Sequence, residues 1–418
     1  MKRVSFNTVL NKVFFSLALL APINFFPFQA AAQETIKLTY SGPLSGPMGV
    51  IGTEELNHLQ YMAEKVNAKG GVLGGKKLEV IGLDDKFSVQ ETQVNLKKMI
   101  DRNLQFLVQG AGSHISHGIT DFISKHNLRN PDKSILFFNM ATQDPDLTNE
   151  KCNFWHFRFF PNTAMKMAAL TRYLASRSEV KKVYLINQDY SYGRSVQEAG
   201  NDLLKKRCPH IQIVGDELHP LTKIKDFSPY VTKIKASGAD AVITANWGPD
   251  LTLLVKAGEE AGLKVIWYTY VGGDDSTAAV LGKAGKGRMK QVCDWHLNIE
   301  NPEMETFTTG YKKRYTQTWF YISVVTLEEM LVNALNKVGK PDPLKVAKAL
   351  EGIRHQTITG EAYMRAQDHQ LIMPLFIASY TDGVKYDLAD TGMGLKTEAR
   401  IETKDVELPT NCAMKRPE

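Results

Sequence analysis

Between Ile36 and Tyr268 the chain alternates short apolar runs with longer amphipathic ones, in two separate bouts. Parallel strands need a crossover long enough to bring the chain back to the same end of the sheet, and a helix is the usual one. The pattern therefore predicts parallel sheets covered by helices on both faces. In the first bout a strand begins at Ile36, and others are expected at Leu78–Leu83, Leu104–Val108 and Ser134–Phe138. Helices intervene, the first with Leu56, Leu59, Ala63 and Val66 on one face and a stop at the glycine-rich turn Gly70–Gly75. The second bout starts after Phe160-Pro161, with strands expected at Lys182–Asn187, Ile211–Val214, Ala241–Ala245 and Lys264–Tyr268. From about Val292 the pattern is less regular. A long apolar helix at Trp319–Val338, a short one at Pro343–Leu350 and a strand at Leu371–Tyr380 are too little for a third domain. They read as chain returning to complete both lobes.

In open α/β sheets, ligands bind where strands end and helices begin, because free backbone N–H groups converge there. The stretch Ile36–Gly52 has this form: an alternating strand, then a loop rich in Gly, Pro and Ser, then a helix starting near Thr53. Three more strand ends carry small, hydroxylic or aromatic residues: Gly112-Ser113-His114, Ala141-Thr142 and Tyr190-Ser191-Tyr192-Gly193. Hydroxyls and N–H groups suit a small ligand's carboxylate, and faces such as Tyr192 and Trp247 suit its apolar part. At any single strand end, turn chemistry and helix capping explain the same residues. Their recurrence at the strand ends of two lobes favours binding.

Signatures of catalysis are missing. There is no Gly-x-Ser-x-Gly and no dinucleotide fingerprint. Gly282–Arg288 resembles a phosphate loop but has no Ser or Thr after the lysine and no strand close before it. His114, His117 and Asp121 have helical spacing that a metal could use, and they read more simply as a helix start facing solvent or a cleft. No cofactor is expected.

The N-terminus reads as a secretory signal: Lys2 and Arg3, a mostly apolar Val13–Phe28, then Gln29-Ala-Ala-Ala32, with cleavage expected after Ala32. The net charge is +6, and Lys2, Arg3 and Lys12 supply three of those charges. The remaining +3 is too small to argue for nucleic acid or an anionic membrane as partner. In an oxidising compartment Cys152, Cys208, Cys293 and Cys412 permit two bridges in three pairings, among which the sequence does not choose.

The ordered set of motifs resembles the periplasmic solute-binding proteins of ABC transporters, in the branched-chain amino acid (leucine/isoleucine/valine-binding) family. Ser41-Gly-Pro-Leu-Ser-Gly-Pro47, Asn67–Gly75, Leu83-Asp-Asp85, Ala141–Thr148, Asp189–Arg194, Asp226-Phe-Ser228, Ser237–Ala241, Glu260–Lys264 and Gln367–Gln370 carry the likeness. It implies an α/β, type I periplasmic-binding-protein (venus flytrap) fold: two parallel-sheet lobes joined by three hinge crossings. Residues 1–32 would be the signal, 33–157 plus 294–367 the first lobe, and 158–293 plus 368–418 the second lobe with the C-terminal tail. The function implied is capture of a small amphipathic solute, an amino acid or related carboxylate, for an inner-membrane ABC permease. The protein would be a periplasmic monomer and not an enzyme. A ligand-sensing receptor subunit and an exported enzyme using the same cleft are the alternatives. By position, the polar head would meet Ser113 or His114, the backbone near Met140 and Ala141, and Thr142. Tyr192 and Trp247 would cover the ligand from the second lobe. The family's second-lobe acid facing an ammonium would fall on Asp274 or Asp275. Ile51 stands where some members place an aromatic, and Tyr190 and Tyr270 also suit an aromatic carboxylate.

Overall fold

The computed structural model describes residues 35–417; the expected signal and its cleavage site lie outside them. The first bout forms a parallel five-stranded sheet in the order β2-β1-β3-β4-β5. Its strands are β1 (Thr35–Gly42), β2 (Lys77–Asp84), β3 (Phe106–Gln109), β4 (Leu136–Asn139) and β5 (His156–Arg158). Helices α1 (Gly49–Ala68), α2 (Val89–Asp101) and α3 (Ser113–Arg129) connect them.

The second bout continues through α4 (Thr163–Leu174), β6 (Lys182–Gln188), α5 (Ser191–Arg207), β7 (Gln212–His219), α6 (Ser228–Ser237), β8 (Ala241–Thr244), α7 (Pro249–Glu260), β9 (Ile266–Thr269), α8 (Asp275–Leu281) and β10 (Met289–Cys293). These strands pair in parallel as β10-β9-β8-β6-β7. Burial on both faces explains their unbroken apolar runs. Val183 and Leu185 belong to one packed cluster, Tyr184 and Ile186 to another across the sheet.

The chain then returns to the first lobe with α9 (Pro302–Tyr315), α10 (Ile322–Val338) and α11 (Pro343–Leu350). A small antiparallel sheet follows: β11 (Arg354–Thr357), β12 (Gly360–Met364) and β13 (Leu371–Ile372). Last come β14 (Leu375–Thr381), β15 (Gly394–Ile401) and α12 (Thr403–Val406). β14 and β15 add to the second sheet in antiparallel fashion, making it seven-stranded. Three stretches thus cross between lobes: β5 to α4, β10 to α9, and β13 to β14.

Several expectations need correction. The single strand expected at Leu371–Tyr380 is two, β13 and β14, separated by Met373-Pro374. Proline offers no N–H to a ladder, so pairing stops there. The second sheet is not wholly parallel. The long helix begins at Ile322 rather than Trp319, and α9 precedes it. Of the two permitted disulfides one forms, Cys152–Cys412, while Cys208 and Cys293 are buried free thiols.

Candidate functional site

The loops at the strand ends of both lobes enclose a cavity of about 100 Å³, enough for a molecule of roughly ten non-hydrogen atoms. Its first-lobe wall comes from the start of α1 (Val50, Ile51, Glu54, Glu55), the loop after β3 (Gly110–Ser113) and the loop after β4 (Ala141–Gln143). Its second-lobe wall is mainly aromatic, with Tyr190, Tyr192 and Trp247. Phe160 on a crossing, Val271, Asp274 and Ser276 before and in α8, and Phe320 and Tyr321 before α10 complete it.

The loop after β4 is held by one side chain. Asn139 ends the strand, and its Oδ1 accepts the N–H groups of Ala141 (3.2 Å) and Thr142 (2.8 Å). Its Nδ2 donates to the Thr142 carbonyl at 3.2 Å. This fixes Thr142 over α3, where its Oγ1 lies 2.8 Å from Ser116 Oγ. Ser113 opens α3, so its N–H and that of His114 have no acceptor within the helix. The Ser113 Oγ accepts the Asp144 N–H at 3.3 Å, which leaves the hydroxyl hydrogen for the cavity.

The second-lobe wall is positioned by Gln188, which ends β6. Its Nε2 donates to the Trp247 carbonyl (3.3 Å) and to Asp250 Oδ2 (2.8 Å). Trp247 Nε1 donates to Tyr190 Oη at 2.8 Å, so the two rings form one surface. The lobes touch beside the cavity. Phe87 meets Trp247 edge-on with ring centroids 5.8 Å apart, and His114 meets Tyr190 at 5.7 Å.

Of the residues singled out from sequence, Ser113, Ala141, Thr142, Tyr192, Trp247 and Asp274 stand in one wall or the other. His114 does not. Its ring packs between Phe87 and Tyr190, and burial, with the neighbouring His117, lowers its pKa to about 4. It is therefore a neutral contact between lobes. The N–H groups of Met140 and Ala141 are spent within the protein, on the Gln109 carbonyl and on Asn139. Asp275 faces away, accepting from Thr318 and the Ala389 N–H. Tyr270 lies outside the wall, with its Oη on the Thr163 carbonyl. His117 is occupied by Asp144 at 2.8 Å. Among the described residues no cluster of His, Cys, Asp or Glu has the form of a metal site.

Two glutamates were missed. Glu55 is fully buried and accepts the Tyr40 Oη hydrogen at 2.8 Å. Burial raises its pKa to about 8, against the lowering effect of that bond. Gly110 makes room for it, since a Cβ there would sit 2.6 Å from Glu55 Oε1. Glu54, half-buried, is raised to about 7 by burial and by Asp274 and Asp275. A signal existed: Glu55 shares the apolar face of α1 with Leu59, Met62 and Val66, spaced four, seven and eleven residues on. A third α1 residue acts at a distance. His58 accepts the Phe320 N–H on Nε2 (3.0 Å) and faces the Glu54 carbonyl with Nδ1 (2.6 Å), fixing the loop that carries Phe320 and Tyr321. Burial lowers its pKa to about 3, so it works as the neutral imidazole.

A cleft walled by two α/β lobes of this topology matches a known protein family, whose profile covers residues 35–385 under the description periplasmic binding protein. The chain belongs to that family. Among its relatives is Leu/Ile/Val-binding protein homolog 4 of Brucella abortus, 29% identical over 396 residues, 93% of this chain and 94% of the relative. A leucine-, isoleucine-, valine-, threonine- and alanine-binding protein of Pseudomonas aeruginosa is 22% identical over 84% of this chain and 90% of its own. In three dimensions the chain superposes on a leucine-, isoleucine-, valine-, threonine- and alanine-binding protein of Brucella ovis in its closed conformation. That match has a TM-score of 0.84 and 29% identity, and covers 92% of this chain and 100% of the other. A solute-binding protein of an ABC transporter from Rhodopseudomonas palustris, solved with 3,4-dihydroxybenzoic acid, shares the fold. Its TM-score is 0.77 at 18% identity, over 88% and 98% of the two chains. The fold is thus the two-lobed type I architecture of periplasmic binding proteins.

Proposed function

We propose that this chain is the solute-capturing component of an ABC transporter, exported to the periplasm with its first 32 residues removed. It closes two lobes on an amino acid or related small carboxylate and passes it unaltered to an inner-membrane permease. The moving bodies are residues 33–157 with 294–367, and 158–293 with 368–418. The observation that carries this reading is the cavity itself, whose wall is divided between the two lobes. A ligand touching both walls makes its full set of contacts only when they are together, so it shifts the population toward closure. The relatives' ligands, branched-chain and small amino acids in one group and a hydroxylated benzoate in another, bracket a solute of the size the cavity admits.

Mass spectrometry of whatever the purified protein releases on mild denaturation tests the reading, with a thermal-shift screen of amino acids and aromatic acids beside it. A ligand at 100 times its Kd adds about 2.7 kcal/mol to stability. A protein that shifts with none of them overturns the assignment. With a ligand in hand, Thr142→Ala is expected to weaken binding by about 1.5–3 kcal/mol, the value of a hydrogen bond to a charged group.

A further inference from the structure

Taking the cavity as the ligand site, we propose that Glu54 selects a positively charged group on the solute, so that the cleft takes molecules bearing an ammonium and rejects the matching simple carboxylates. The wall holds three carboxyl groups, Glu54, Glu55 and Asp274, and no Lys, Arg or His. Two of the three are engaged. Asp274 caps α8: Oδ1 accepts the Thr277 N–H at 2.9 Å and the Ser276 hydroxyl, and Oδ2 accepts the Thr277 hydroxyl at 2.7 Å. Glu55 holds Tyr40. Of the two acids on which the family's ammonium partner would fall, Asp274 is therefore satisfied by its own helix and Asp275 by Thr318 and Ala389.

Glu54 differs. Among the described residues its carboxyl group accepts no hydrogen bond and joins no ion pair, although it lines the cavity from the first lobe. Asp274 and Asp275, at the start of α8, act on it electrostatically, Glu55 adjoins it on α1, and the phenols of Tyr311 and Tyr321 lie near it. Every charged neighbour is acidic, so a cation arriving there relieves repulsion as well as gaining a partner.

Hydroxyl accounting gives a second, independent acceptor. Gln109 Nε2 donates to the Ala111 carbonyl, which orients the amide, so Oε1 receives the Ser116 hydroxyl hydrogen at 2.6 Å. Ser116 has then spent its one hydrogen, and across the 2.8 Å contact Thr142 must be the donor. Thr142 presents only lone pairs to the cavity. Free donors remain at Ser113 and the start of α3. A wall that offers both unpaired acceptors and free donors complements a molecule carrying an ammonium and a carboxylate together.

The test is titration calorimetry on the ligand-stripped chain with two matched pairs: L-leucine against 4-methylpentanoate, and L-phenylalanine against 3-phenylpropanoate. In the parent at least one amino acid is expected to bind about tenfold or more tighter than its deaminated partner. Glu54→Gln is expected to erase that preference by weakening the amino acid alone. Glu54→Lys should invert it. A preference that survives Glu54→Gln, or a parent that favours the deaminated acids, overturns the role of Glu54 and leaves solute capture standing. A parent blind to all four compounds and to the remaining amino acids and aromatic acids overturns both.

Discussion

The two walls of the cleft are built on similar scaffolds and finished differently. Each lobe anchors its recognition loop with an amide at a strand end: Asn139 on the Ala141–Thr142 N–H groups, Gln188 on the Trp247 carbonyl. On that base the first lobe displays hydroxyls, helix-start N–H groups and Glu54. The second displays Tyr190, Tyr192 and Trp247. Polar recognition needs donors fixed to a few tenths of an ångström, whereas apolar contact is non-directional and tolerates the variation of a closing hinge. The difference suits a division of labour under the proposed function, in which the first lobe would identify the solute and the second would cover it.

The largest expected effect follows from removing an anchor. Asn139→Ala leaves the N–H groups of Ala141 and Thr142 without their acceptor in a buried loop. About 4 kcal/mol of stability should be lost, at roughly 1–3 kcal/mol per unsatisfied group, and ligand binding with it. Gln188→Ala should lower stability less and leave weakened but measurable binding. Thermal unfolding and calorimetry on both variants decide the matter, and equal losses of affinity would end the asymmetry.

Next in size is a pH effect confined to the first lobe. The Glu55 carboxyl is held near pKa 8 by burial, with Asp85 and Glu54 adding to the rise and hydrogen bonds from Tyr40 and Tyr321 opposing it. The unfolded chain releases this proton near the ordinary value of about 4.5, so between there and about 8 the folded state binds more protons. Stability from this group is complete at low pH and falls as pH rises through that window. Glu55→Gln cannot ionise, so it should match the parent near pH 5 and exceed it by up to about 3 kcal/mol near pH 8. Unfolding midpoints across this range check the sign, and a constant difference would show that Glu55 does not titrate in the folded protein.

Much of the fold was legible because strands buried on both faces write themselves as continuous apolar runs. What escaped lies at edges and on narrow faces. Helix α9 buries only Met304, Thr308 and Tyr311 and carries Gly310, where a Cβ would sit 2.4 Å from Tyr61 Oη. Strand β15 is an antiparallel edge strand with a polar outer side, and β5 has three residues. At the site, hydroxyls and aromatics at strand ends were readable because turn position and residue type coincide there. Glu54 and Glu55 were passed over because acids in the first turns of a helix are ordinary partners of its dipole. Only the fold shows that one is sealed beneath the cavity and the other faces it without a partner. The tether between the lobes was beyond reading for another reason, since disulfide pairing depends on distances in space.

That tether is a fourth link besides the three crossings. After β15 the tail packs α12 against the second lobe and then runs to the first, where Cys412 meets Cys152. Thr410 and Arg416 hold it there through Asn149 and Glu351. Cys412→Ser should cost about 2 kcal/mol, the low end for a native bridge because these polar contacts remain. Small-angle scattering of the ligand-free variant should show a more open mean shape. An unchanged profile would mean that the three crossings alone set the opening.

The smallest effect probes the second wall. Trp247→Phe keeps an aromatic face over the cavity and its edge-on contact with Phe87, and removes one hydrogen bond, Trp247 Nε1 to Tyr190 Oη. A neutral hydrogen bond contributes about 1 kcal/mol, so affinity should fall about fivefold. If covering is all this wall does, the loss should be the same for a ligand and for its close analogues, because no discriminating contact has changed. Thr142→Ala, by contrast, should weaken charged ligands selectively. Should Trp247→Phe reorder the ligand preferences as Thr142→Ala is expected to, recognition would be shared between the lobes. The aromatic wall would then be reading the solute's polar groups through Tyr190.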